Sequence, residues 1–234
     1  MRLLMATAND IRYQAKYGFY FLYAFITVVY SAILYFLPDQ HKSIGASLIL
    51  LTDPATLGFF FVGGIWLLEK DEGIHRFYGA SPLKPIEYLL AKALSLAMIS
   101  TLSAFFIVRF SNPGSADYPL LLVSIFAGSC IFTLLGLTMA TYSNSVNSYM
   151  VRGIPVGMVL ILPPMLVAFH ISHPALEILP GTILWQLIDL SIKGQVEPGS
   201  IVLLFGLMIW LGISTFIALL RVPSALQSEG GGKK

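Results

Sequence analysis

Long apolar runs separated by short polar stretches set the pattern of this chain. A helix needs about 20 mostly apolar residues to cross a bilayer, and charge-poor runs of that length recur. They predict spans at about 18–37, 45–68, 88–110, 118–142, 150–169 and 200–220. Pro38 and Asp39 close the first, and Asp53 is the lone acid inside the second. Lys92 and Arg109 lie towards the ends of the third, where long side chains snorkel to the headgroups. The fifth carries Pro155, Pro163 and Pro164. The expected fold class is an all-α membrane protein with six transmembrane helices.

The flanking segments have their own periodicities. Leu3, Leu4, Thr7, Ile11 and the pair Gln14-Ala15 recur at helical spacing, with Asn9, Asp10, Arg12, Tyr13 and Lys16 elsewhere on the wheel. Residues 1–17 are therefore expected to form an amphipathic helix at the membrane surface. The run after it is too long and too aromatic for the core of a signal peptide. Residues 173–192 are apolar but broken by Pro180-Gly181, which predicts a short re-entrant helix pair at the outer face. Trp185 suits the interface there. Residues 221–234 read as a polar tail.

Composition supports the same class. Apolar residues make up 56% of the chain and Asp, Glu, Lys and Arg only 11%, where an ordinary soluble domain carries roughly 25% charged residues. A soluble fold of this length would lack the polar residues to cover its surface. A formal charge of +2 gives no footprint for nucleic acid.

Charge is concentrated in one island between the second and third spans. Glu69, Lys70, Asp71, Glu72, His75, Arg76, Lys84 and Glu87 fall within 69–87, with Lys92 just beyond. So many charges lie outside the hydrocarbon layer, where each keeps its water. Glu72 and Arg76 have the favourable i,i+4 spacing, worth about 0.2–0.5 kcal/mol. Gly73 lets a helix end there or a neighbouring backbone approach. Pro85 followed by Glu87 suits the first turn of a helix.

Positive residues set the orientation. With a cytoplasmic N-terminus, the inner segments hold Arg2, Arg12, Lys16, Lys70, Arg76, Lys84, Lys92, Arg152, Arg221, Lys233 and Lys234. Only Lys42, Arg109 and Lys193 are left outside. The expectation is a multi-pass protein of the cell membrane with both termini and the island in the cytoplasm.

Candidate chemistry is sparse. No Gly-x-x-x-x-Gly-Lys-Ser/Thr stretch exists, so the chain has no phosphate loop of its own. The single cysteine, Cys130, reads as a packing residue. His170 and His173, without a nearby cysteine, read as the end of a helix rather than a metal site. Ser129 lacks the glycine context of an intramembrane nucleophile. No catalytic residue and no metal site is expected. Asp53, beside Pro54, either lines a path for a cation or proton or caps a helix that restarts. Phe59, Phe60 and Trp66 are the candidate path-lining aromatics, in a span where Gly58, Gly63 and Gly64 permit close helix contact.

The surface-lying N-terminal segment, the six spans, the run Glu69-Lys70-Asp71-Glu72-Gly73, the run Ser81-Pro82-Leu83-Lys84-Pro85 with Glu87-Tyr88, and the outer helix pair together resemble the membrane subunits of ABC-2-type exporters. The text from Asn9 to Tyr20 and from Pro54 to Gly73 is similar to fluoroquinolone and multidrug export permeases. The resemblance implies that Glu69, Lys70, Asp71, Glu72, Gly73, His75 and Arg76 form a coupling helix seated on a separate ABC ATPase subunit. It also implies ATP and Mg in that partner, no cofactor in this chain, and pairing as a homodimer or with a similar permease. An ion-gradient-driven secondary carrier is the alternative; it calls for several ionisable residues near the midplane, where Asp53 alone qualifies.

Overall fold

Helix follows the apolar runs almost throughout the computed structural model, which describes residues 2–52, 56–80, 83–111, 116–171, 173–195 and 197–230. In chain order the helices are α1 (Arg2–Lys16), α2 (Phe19–Phe36), α3 (Asp39–Leu50), α4 (Thr56–Asp71), α5 (Ile74–Ala80), α6 (Pro85–Ser111), α7 (Tyr118–Ala140), α8 (Val146–Ala168), α9 (Pro174–Glu177), α10 (Pro180–Ile192) and α11 (Gly199–Gly230). Among the described residues all regular structure is helical.

Helix α7 is the axis of the bundle. Its sequence is apolar all round, the mark of a helix without a solvent face, and it packs against α4, α6, α10 and α11. Asp117 starts it by accepting from the Leu120 N–H at 2.9 Å, which satisfies one of the orphan donors of the first turn. Glycine lets two neighbours come close. A Cβ on Gly136 would lie 2.4 Å from the Phe59 carbonyl oxygen, and one on Gly63 would lie 2.2 Å from the Tyr149 ring. Tyr149 in turn donates to the Phe59 carbonyl at 2.5 Å, which joins α8 to α4. By contrast α2 leaves Phe21, Phe25, Val28 and Ile33 exposed, as a helix bathed in lipid does.

Five helices among the described residues are long and apolar enough to cross a membrane: Phe19–Phe36, Pro85–Phe110, Tyr118–Ala140, Val146–Ala168 and Gly199–Gln227. The sixth expected span, 45–68, is not seen as one helix. Its residues belong to α3 and α4 on either side of 53–55, which lie outside the described residues together with Asp53 and Pro54. The backbone widens into a π turn at Leu51–Thr52, the last described residues before 53–55. Helix α3 also begins earlier than the apolar run, because Pro38 leads into it and Asp39 supplies an acid for its first turn.

Two further segments complete the bundle. The polar tail expected from 221 is helical to Gly230, as a continuation of α11 through Pro223. Val222 and Leu226 are buried there, and α11 packs on α5 and α6, so apolar contact offsets the hydrogen bond that the proline lacks. The segment 173–192 holds two helices, α9 and α10, separated ahead of Pro180. Helix α10 is buried against α7, α8 and α11.

Candidate functional site

Three helices carry a polar residue inside their buried stripe. On α1 the buried positions are Thr7, Asp10 and Gln14, spaced i, i+3, i+7. On α4, Val62, Ile65, Trp66 and Glu69 point inward, and on α6 Tyr88, Lys92, Ser95 and Ile99 do so. These stripes meet at one end of the bundle and bring Asp10, Glu69 and Lys92 together.

Lys92 bridges the two acids. Its Nζ donates to Glu69 Oε1 at 2.5 Å and to Asp10 Oδ1. It is only 1% exposed and Glu69 only 2%. Lys92 therefore does not snorkel to the headgroups as its position in the sequence predicts; two carboxylates on other helices reach it first. An unpaired buried charge costs several kcal/mol, and the remaining oxygens are satisfied too. Glu69 Oε2 accepts from the Tyr88 hydroxyl at 2.9 Å. Asp10 Oδ2 accepts from Gln14 Nε2 at 2.7 Å and from the Ser95 hydroxyl. The rings of Tyr13 and Tyr88 stand 5.8 and 5.6 Å from the ammonium, within cation–π range.

This network supports the short helix that follows. Gly73 takes φ 71°, where a side chain is strained, and its N–H closes α4 on the Lys70 carbonyl at 3.0 Å. The chain then reverses into α5. His75 is buried, its ring 4.1 Å from that of Trp66 and its Nε2 3.7 Å from Glu69 Oε2. Glu72 accepts from the hydroxyls of Tyr13, at 3.1 Å, and of Tyr17, tying the turn to α1. Lys70 donates to Asn144 Oδ1 at 3.0 Å, tying it to the α7–α8 connection. Helix α5 also rests on α11, and Arg221 of α11 lies over the Tyr142 ring at 4.3 Å. The acids leave a mark on the nearby phenols. Burial and the Glu69 carboxylate push Tyr78 up to about 12, and burial with the Glu72 hydrogen bond raises Tyr13.

The expected coupling residues thus divide into two sets. Glu69 and His75 face inward; Lys70 and Gly73 are half-buried; Asp71, Glu72 and Arg76 are exposed. Phe77, which sequence reasoning passed over, is 76% exposed beside Arg76. Of the path candidates, Phe59 and Trp66 are buried packing residues, and Phe60 is half-buried with its ring against α8 near Gly157. Gly63 makes the close contact foreseen for the glycines of this helix, whereas Gly64 faces open space. Cys130 is buried. His173 accepts from the Ala175 N–H at 3.2 Å and so caps α9. Sequence reasoning missed Asp10, Lys92, Tyr88 and Gln14 as one cluster. The signal available was Tyr88, Lys92 and Ser95 at helical spacing within an apolar run.

A family model for the fluoroquinolones export permease protein family matches residues 1–221. The chain belongs to this family. Two relatives are the fluoroquinolones export permease proteins of Mycobacterium tuberculosis strains CDC 1551 / Oshkosh and ATCC 25618 / H37Rv. Each is 26% identical over 183 residues, covering 76% of this chain and 76% of the relative. Family membership and the long apolar helices make this an export permease and a multi-pass membrane protein.

Proposed function

We propose that the chain is the membrane subunit of an ATP-driven ABC-2-type exporter. It moves hydrophobic or amphiphilic, drug-like compounds out of the cytoplasm or inner leaflet, with fluoroquinolones the first compounds to test, given the names of its relatives. A separate ABC ATPase subunit binds ATP and Mg and docks on α5. Two copies of the permease, or this chain with a similar one, present two such helices, and both termini lie on the cytoplasmic side with them.

The observation that carries this reading is the exposed face of Asp71, Glu72, Arg76 and Phe77, standing on a buried ion network that joins α1, α4 and α6. A solvated boundary loop needs no such foundation, since its charges are content in water; a surface that receives a push does. Sequence economy agrees, because a chain without a phosphate loop must draw its ATP energy from a partner.

Co-purification of the chain from its native membrane with a phosphate-loop ATPase, and co-expression with the ATPase so found, tests the proposal. The expected result is a complex that survives purification, with vanadate-sensitive ATPase activity and ATP-dependent uptake of norfloxacin into inverted vesicles. Uptake that runs on a proton gradient without any ATPase would overturn the exporter reading in favour of the ion-gradient carrier.

A further inference from the structure

Helix α1 carries three lengthwise stripes, and only the buried one, Thr7, Asp10 and Gln14, belongs to the network above. Beside it run Leu4, Ala8, Ile11 and Ala15, apolar and mostly exposed. Beyond these run Arg2, Met5, Asn9, Arg12 and Lys16, all exposed. Their spacing of i, i+3, i+7, i+10 and i+14 is that of a single helix face. No acid stands on this third stripe.

The surroundings fix what each stripe meets. Ile11 borders one hollow with Met98 and Leu102, which are exposed on α6, so the apolar stripe looks towards hydrocarbon. On the other side of the basic stripe, Tyr13 and Tyr17 hold the exposed Glu72 of the α5 turn, which needs water. Gly18 ends the segment at φ 77°, and Phe21, three residues on, is 78% exposed on the lipid-bathed α2. The basic stripe therefore lies at headgroup depth, between hydrocarbon and water. Among the described residues, Arg12 and Lys16 enter none of the ion pairs; Lys16 stands over the Tyr17 ring at 5.0 Å.

From this geometry we infer that α1 is a binding site for anionic phospholipids. Arg12 and Lys16 take the headgroup, and Leu4, Ala8 and Ile11 lie against the start of the acyl chains. A zwitterionic headgroup answers its phosphate with its own ammonium, whereas an anionic one leaves net charge for the two cations. Occupancy also steadies the bundle, because the buried stripe of the same helix is bonded to Lys92 and Ser95 of α6. The inference rests on the exporter reading only in giving the lipid a role in coupling at α5; the binding itself needs neither ATP nor the ATPase.

Thermal unfolding of the full chain in dodecyl maltoside micelles tests it, with dioleoylphosphatidylglycerol titrated in one series and dioleoylphosphatidylcholine in another. A ligand that binds only the seated helix raises the midpoint. The expected result is a saturable rise with phosphatidylglycerol and none with phosphatidylcholine. Arg12→Gln with Lys16→Gln should raise the half-saturating concentration about thirtyfold, roughly fivefold for each cation near a charged surface. Lys84→Gln with Arg152→Gln removes as much charge from exposed positions off α1 and should leave it unchanged. An equal rise with phosphatidylcholine would make the stripe a seat for acyl chains alone. Equal shifts in the two double variants would reduce the effect to overall charge, and no shift in the first would put the site elsewhere. The same rise with sn-glycerol 3-phosphate would make it a site for free phosphate, and no rise at all would remove it. Each of these outcomes overturns the inference, and all of them leave ATPase co-purification free to succeed.

Discussion

Lys92 Nζ sits 2.5 Å from Glu69 Oε1, across 23 residues of sequence, and neither side chain is open to solvent. Asp10 completes the bridge from the N-terminal helix. One ammonium thus holds together α1, the end of α4 and the start of α6, beside the turn that leads into α5.

Removing that ammonium strands two buried carboxylates. Lys92→Met is expected to cost about 3–5 kcal/mol, the penalty for breaking a buried ion pair from one side. Neutralising the acids as well, with Asp10→Asn and Glu69→Gln, should recover most of it, since the burial cost goes with the charge. Thermal unfolding in detergent measures both. A Lys92→Met protein as stable as the parent would mean that the carboxylates reach water.

Gly63 and Gly64 are neighbours with opposite prospects. A methyl on Gly63 would meet the Tyr149 ring, the phenol that joins α8 to α4, whereas one on Gly64 meets nothing within 4 Å. Gly63→Ala is expected to destabilise by about 1–3 kcal/mol through overpacking. Gly64→Ala is expected to be neutral or to stabilise by up to about 1 kcal/mol through helix propensity. Equal melting temperatures for the two variants would contradict this packing.

Exposed residues of the docking face should separate stability from coupling. Arg76→Glu combined with Phe77→Ala is expected to change unfolding by no more than about 0.5 kcal/mol, as surface substitutions do. The same pair should abolish co-purification of the ATPase and substrate-stimulated hydrolysis. Full ATPase stimulation in that variant would remove α5 from the coupling surface.

Tyr78 reports on the charge of the network. Its phenol is pushed up to about 12, first by burial and then by the Glu69 carboxylate. Glu69→Gln removes the second cause and keeps the first, so the titration should move down part of the way towards the ordinary phenol value of 10.0. The difference between each protein and its Tyr78→Phe variant isolates this one phenol in an ultraviolet titration. An unmoved titration would mean that Glu69 carries no charge beside it.

The bundle was legible where one helix decides its own fate. Apolar length alone marks α7 and α8, Pro180 marks the break ahead of α10, and Gly73 marks the turn into α5. The ion network was not legible, for a physical reason. Hydropathy treats each charge by its own distance from the end of an apolar run, so Lys92 reads as a snorkelling residue and Asp10 as the wet side of a surface helix. Their burial depends on each other and on Glu69, and pairing between helices leaves no period in any one of them. The helical extension to Gly230 was hidden in the same way, because Val222 and Leu226 acquire an apolar neighbour only once α5 and α6 are in place.

Helix α11 runs 32 residues from Gly199 to Gly230, which at 1.5 Å per residue makes a rod of about 48 Å, against a hydrocarbon layer of about 30 Å. Part of it must stand clear of the lipid, and the end that packs on α5 is the end that stands clear if α5 is wet. Such a rod is a lever with its fulcrum inside the membrane. About a fulcrum near its middle, a tilt of about 10° carries its tip sideways by roughly 4 Å. If an ATPase docks on α5 as proposed, a small stroke there becomes a rotation along the whole depth of the bilayer.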